Sequence, residues 1–366
     1  MFMNIIKVML FCIAFAFAQQ LSQEKPFNTL RGFAYNPYGT LGAAPTIADI
    51  LQKPSDIYGH NFVYVSPESG SAYSAFDLAG GSALLSFDQS LMLGYAKSFY
   101  GLLLKVSPYR LCNRVSNDNY ECSSDQNIDL NFSVPLGSSI LYAYTGKTIS
   151  SDYYNDDDGV DVSRYKQELS AREAYIGITG GDKFVWDLRF NFDRYKISYS
   201  GYGYEEYDFT PKEFYFANSE TDLTFLFSFA YKIVQNDRLN FIVGLNNEAS
   251  WQYYSLFYND FDNYDLQVII SPNFLGEIVL TKHLLAFVGA SYSLSSYVLF
   301  SSGDDENDDK KIDTFKMDNS EPGAYVGLRY EYKNWAVETR LQSDTFGELL
   351  SGNNPFISLG AFFFFQ

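Results

Sequence analysis

The stretch Asn127-Ile128-Asp129-Leu130-Asn131-Phe132-Ser133-Val134-Pro135-Leu136 sorts by parity. Ile128, Leu130, Phe132, Val134 and Leu136 fall on one side and Asn127, Asp129, Asn131 and Ser133 on the other. Successive side chains of a strand point to opposite faces, so this segment has one apolar face and one polar face. The same alternation returns where Trp186, Leu188, Phe190 and Phe192 interleave with Asp187, Arg189, Asn191 and Asp193. Leu223, Phe225, Phe227, Phe229 and Tyr231 repeat it, as do Trp335, Val337, Thr339 and Leu341 around Glu338, Arg340 and Gln342. A series of strands of ~10 residues, apolar on one face, is the pattern of an antiparallel barrel that spans a membrane.

The connections supply a second signal, because such barrels have short turns at one end and long loops at the other. Read backward from the terminus, long loops are expected at 344–354, 301–320, 258–263, 205–213, 150–164 and 112–124. Short turns are expected at Lys333-Asn334, Thr281 to His283, 234–238, 180–183, Gly137-Ser138 and Lys97 to Tyr100. This rhythm gives thirteen strands from about Ala83 to the end, and 61–66 supplies a fourteenth. The expected fold is therefore all-β, a transmembrane antiparallel up-and-down β-barrel of about 14 strands over residues 61–366, with 12 or 16 as alternatives. The region 67–83, with Gly70, Gly80 and Gly81, is either a loop or one bent strand.

Both ends of the chain point to export. Lys7, the apolar run Val8 to Phe17 and the small-x-small step Ala16-Phe17-Ala18 form a signal peptide over 1–18, with the mature chain starting near Gln19. That run is too short to span a bilayer, which needs ~20 residues. No later window holds 18 consecutive apolar residues, so any span must be built from strands. The final segment places Ile357, Leu359, Ala361, Phe363 and Phe365 on one face. It resembles the carboxy-terminal signal by which assembly machinery recognises outer-membrane barrels, except that Gln366 follows the aromatic residue. The bacterial outer membrane is the expected location, with its lipid, its lipopolysaccharide and the barrel-assembly machinery as expected partners.

Composition narrows the function classes. Tyr (31) and Phe (33) bring the aromatic content to 18%, as girdled barrels require, and the net charge of −18 argues against nucleic acid. With Cys12 removed, Cys112 and Cys122 remain, and in an oxidising compartment they pair most simply as a disulfide. A bridge closing so short a loop contributes ~2–3 kcal/mol in the chain-entropy view. Barrel hydrolases use a histidine base beside a serine or aspartate. The chain has only His60 and His283, the first before the barrel and the second in a short turn, so an enzyme is not expected. Acidic runs at Asp156 to Asp161 and Asp304 to Asp313 lack EF-hand spacing and read as solvated loops; neither a metal nor a cofactor is expected.

Residues 19–60 do not alternate. They contain Asn36-Pro37-Tyr38-Gly39 and a short helical stretch from Thr46 to Lys53, with Thr46 as cap and Pro54 as stop. The segment either trails as a periplasmic tail or folds into the lumen. An Asn-Pro-x-Gly element ahead of about fourteen strands resembles the long-chain fatty-acid transporters of the outer membrane. That resemblance implies an amino-terminal hatch inside the barrel and hydrophobic small-molecule cargo, without identifying the cargo.

Charge facing lipid is costly, so the charged strand residues should face the lumen. The expected inward set is Asp129, Asn131, Asp187, Arg189, Arg329, Glu331, Glu338 and Arg340. They read either as a polar pore or binding site, or as salt bridges filling a narrow barrel. Two functions follow: a narrow or plugged transporter of small molecules, or a surface protein that binds partners or glycans through its acidic outer loops.

Overall fold

The computed structural model describes residues 30, 45–67, 70–87, 90–114, 120–157, 162–205, 208–255, 262–301, 311–319, 323–343 and 356–365. The signal peptide, Asn36-Pro37-Tyr38-Gly39, most of the acidic loops and Gln366 fall outside them. A helix α1 (Ile47–Gln52) and a 3-10 turn η1 (Pro54–Ile57) precede the strands. The strands are β1 (Phe62–Ser66), β2 (Ser71–Leu78), β3 (Gly81–Phe87), β4 (Leu91–Lys97), β5 (Tyr100–Arg114) and β6 (Tyr120–Leu136). Next come β7 (Ser139–Asp157), β8 (Val162–Gly181), β9 (Phe184–Glu205), β10 (Asp208–Gln235), β11 (Leu239–Ser255) and β12 (Asp262–Thr281). The last are β13 (Leu284–Ser291), β14 (Leu294–Ser301), β15 (Lys311–Asn319), β16 (Gly323–Tyr332), β17 (Trp335–Ser343) and β18 (Phe356–Phe364).

Each strand pairs antiparallel with its neighbours, and β1 closes the sheet on β18 in the register Phe62↔Phe364 to Val65↔Ala361. β13 and β14 both pair with β12, while β16 and β15 pair with those two segments in turn. The eighteen segments are thus sixteen staves, two of them broken. At the break, Tyr292 donates its amide to the Pro272 carbonyl (3.0 Å), and Pro272 has no N–H to return.

Sixteen staves replace the expected fourteen for two reasons. Region 67–83 holds a full strand, β2, set off by a tight turn at Ala79 (φ 51°) and Gly80 (φ 73°), the doubly left-handed geometry of a two-residue hairpin. The stretch from Ala83 to Lys97, expected as one strand, folds back as β3 and β4. Both hairpins at the opposite end are short here, so the long-short rhythm does not reach them. Several expected loops are also shorter than read: β15 occupies 311–319 within the expected loop 301–320, and β10 begins at Asp208. Beyond the membrane a paired strand needs no apolar face, so these largely polar segments carry no clear alternation. The short turns lie as expected, at 137–138, 182–183, 236–238, 282–283 and 333–334.

The two faces differ as the alternation requires. On β6, Ile128 (58% exposed) and Phe132 (41%) face outward, while Asp129 (9%) and Ser133 (0%) face inward. Phe99, Phe184, Tyr231, Tyr332 and Trp335 cluster on the outside at the short-turn end. An apolar exterior with an aromatic girdle and a polar interior defines a transmembrane barrel. Its wall is lopsided, with β1 five residues long and β10 twenty-eight.

Inside, several glycines sit beneath aromatic rings. A Cβ at Gly177 would strike the ring of Tyr142, at Gly289 that of Tyr325, and at Gly327 that of Phe287. The missing side chains let large rings lie flat along the inner wall.

Candidate functional site

The helix and turn of the amino-terminal segment lie against the inner face of β3–β6. Thr46 caps α1: its Oγ1 accepts the Asp49 amide (3.2 Å), and the Asp49 carboxylate accepts the Thr46 amide (2.8 Å). Pro54 then turns the chain into η1. The Ser55 amide donates to Ser133 Oγ of β6 (2.7 Å), and the Gly59 amide to Ser82 Oγ of β3 (3.0 Å). At Gly101 of β5 a Cβ would overlap the Ser55 amide and the Pro54 carbonyl group, and at Gly94 of β4 it would meet Ile57. Glycines and serines make this part of the wall a seat for backbone. Ile47, Ile50 and Ile57 are buried in one cluster with Leu30, Phe62, Tyr64, Leu103 and Phe362. Burial also lifts the Asp56 carboxyl to about 6 and lowers the His60 imidazole below its ordinary value.

The eight residues expected to face inward fall into two groups of four. Asp129, Asn131, Asp187 and Arg189 lie on β6 and β9, and their partners are chiefly tyrosines. Tyr142 donates to Asp187 (2.7 Å), Tyr144 to Asp129 (3.1 Å) and Tyr175 to Asn131 (3.1 Å). The Arg189 guanidinium lies 5.4 Å from the centre of the Tyr175 ring, and Tyr144 stacks on Tyr175 at 4.9 Å. Lys105 reaches Asp129 at 3.6 Å. From the amino-terminal segment, the Lys53 ammonium lies 5.9 Å from the centre of the Tyr142 ring.

Arg329, Glu331, Glu338 and Arg340 lie on β16 and β17, close to the seam. Arg329 and Glu338 form a fully buried ion pair, and Arg329 also reaches Glu331 (3.2 Å). Its guanidinium donates to the Leu30 carbonyl (3.0 Å) and rests against the Phe362 and Phe364 rings at 5.4 and 5.8 Å. Arg340 donates to Ser358 (3.1 Å). Cys112 and Cys122 stand directly opposite each other in the β5–β6 register, and their side chains fall outside the described residues.

The tyrosines of β7 and β8 escaped the sequence reading because tyrosine suits either face of a half-buried strand, so parity alone does not place it. The pairings that aim Tyr142 at Asp187 and Tyr144 at Asp129 are visible only once the register is known.

The class these features define is the membrane-spanning antiparallel barrel with its own amino-terminal segment seated inside. No protein-family model matches the chain, and no curated protein does. Among solved structures it is similar to the toluene transporter TodX of Pseudomonas putida, at 9% identity over 94% of this chain and 98% of that one, TM-score 0.38. It is also similar to the translocator domain of the autotransporter NalP from Neisseria meningitidis, at 12% identity over 73% and 88%, TM-score 0.35. The outer-membrane-expressed OmpT of Vibrio cholerae matches at 10% identity over 83% and 94%, TM-score 0.36.

Proposed function

We propose that the chain is an exported outer-membrane channel for small molecules, closed at rest by residues 19–60. The seat on the inner face of β3–β6 carries this reading: hydroxyl groups from the wall receive the backbone of 54–59, and Gly101 leaves room for it. In this reading the chain is cut near Gln19, Cys112 and Cys122 join in a disulfide at the outer end of the hairpin, and the assembly machinery recognises β18. Lipid and lipopolysaccharide surround the finished barrel. The likeness to fatty-acid transporters supports a hatch; its fourteen-strand frame is not the one adopted. Carboxylates, amides and tyrosine hydroxyls on the inner wall favour polar cargo over hydrophobic cargo.

Conductance across a planar bilayer tests the proposal. The full chain should be silent or flicker briefly, and Gly101→Leu, whose side chain would occupy the place of Ser55, should give stable stepwise openings. Equal, large conductance from both proteins would show that the segment closes nothing. Silence from Gly101→Leu and from a barrel lacking residues 19–60 would remove transport and leave the surface-interaction function.

A further inference from the structure

Following the strand registers around the inner wall connects residues that are far apart in sequence. Lys105 pairs with Asp129, Asp129 with Gly146, Gly146 with Glu173, Glu173 with Asp193 and Asp193 with Asp222. Asp222 then pairs with Gln252, and Gln252 with Asp265. Five carboxylates therefore occupy one level of the barrel, on β6, β8, β9, β10 and β12. Neighbouring strands are ~4.8 Å apart, so Glu173, Asp193 and Asp222 are separated by two consecutive steps of that size.

A row of acids alone would be an unremarkable feature of a wet lumen. Two further observations give this one a ligand chemistry. Asp265 is 7% exposed, and although its Oδ2 accepts from Tyr297 (3.2 Å), its Oδ1 has no hydrogen-bond donor; one oxygen of Asp222 is in the same condition. The neighbouring levels also present tyrosines. Tyr144, Tyr175 and Tyr297 share the next level toward the short-turn end, and Tyr195 lies one level the other way. Carboxylates between aromatic faces bind ammonium groups, through charge-assisted hydrogen bonds on one side and the ring quadrupole on the other. The same wall already holds an ammonium over a tyrosine two levels from the row toward the short turns, where Lys53 lies over Tyr142. Among the described residues no three metal-binding side chains converge, so the row suits an extended organic cation better than a chelated metal.

We infer that this carboxylate row is a binding site for organic amines, and that a linear diamine spans two of its steps. The inference deepens the transport proposal by naming a cargo class. It is tested by binding alone, so that its failure and a failure to conduct are separate results.

The experiment is calorimetric titration of 1,4-diaminobutane into the full, detergent-solubilised protein, with 1,4-butanediol as the neutral control. Saturable heat is expected for the amine and none for the diol. The double variant Asp193→Asn/Asp222→Asn should weaken binding by about tenfold or more, the loss of charge-assisted contacts. Neutralising the outer loop by Asp304→Asn/Asp305→Asn/Asp308→Asn should leave binding unchanged. Retention of the unheated barrel's faster migration on a detergent gel reports folding, and Glu173→Gln serves in place of the double variant if that does not fold. Absence of saturable heat from the unaltered protein, equal affinity in the folded variant, or loss of binding in the loop variant instead would overturn the inference.

Discussion

On β16–β18 the inner wall sets charge against charge; on β6–β9 it sets charge against tyrosine. Near the seam Arg329 and Glu338 are both fully buried, and Glu331, a backbone carbonyl and two phenyl rings also contact the guanidinium. Across the tyrosine wall, Asp129 and Asp187 accept phenol hydroxyls and keep some exposure to the lumen. The first arrangement fixes its members, because separating the two ions would pull apart opposite charges in a fully buried site. The second can exchange a phenol for another donor at small cost. A barrel that must close at its seam and yet handle a solute uses each arrangement where it fits.

The largest expected effect comes from breaking the first arrangement. Arg329→Met removes the guanidinium that faces Glu338 in a fully buried site, and breaking such a buried ion pair costs ~3–5 kcal/mol in comparable sites. Urea titration of the protein folded into vesicles should show that loss as an earlier midpoint. Adding Glu338→Leu should restore most of it. If the single and double variants unfold together, the pair is not what holds the seam.

Gly177→Ala tests the second arrangement and should matter less. The added Cβ would strike the Tyr142 ring and draw its hydroxyl away from Asp187, an overpacking change of ~1–3 kcal/mol. Tyr142→Phe in the same background separates the steric cost from the hydrogen bond. If the bond is already lost in Gly177→Ala, the two changes together should cost no more than the glycine substitution alone.

How much of this was legible beforehand differs between the two regions. Charge on one parity and apolar residues on the other placed Arg329 and Glu338 on a common inner face, and a buried pair is a natural outcome of that placement. For the tyrosine wall the parity of β6 and β9 gave the carboxylates, but their partners lie on β7 and β8, where Tyr142 and Tyr144 alternate with Leu141 and Ala143 without marking a face. Glu173 and Asp265 join the carboxylate row only through a register summed over several strands. The strand count failed at β2–β4 because their connections are short at both ends, and loop length was the signal used for counting.

The amino-terminal segment touches both regions, at Arg329 through Leu30 and at the tyrosine wall through Lys53, so its docking is where the comparison becomes a functional one. Asp56 gives a means of changing docking at one of the two only. Its carboxyl titrates near 6 when seated, raised chiefly by burial, against an ordinary value of 3.8. Because the seated form holds its proton more tightly than the released form, docking is strongest below pH 4. It weakens as pH rises toward 6 and is level above that. The full gap would be a factor of about a hundred, and the partial exposure of Asp56 discounts it to roughly tenfold. Hydrogen exchange of the Ser55 and Gly59 amides should therefore speed up between pH 4.5 and 7 beyond the intrinsic base-catalysed rise. Asp56→Asn should abolish that excess. The Arg329 side should show no matching change, and an equal response there would mean that the segment leaves as one piece and that the two walls do not hold it independently.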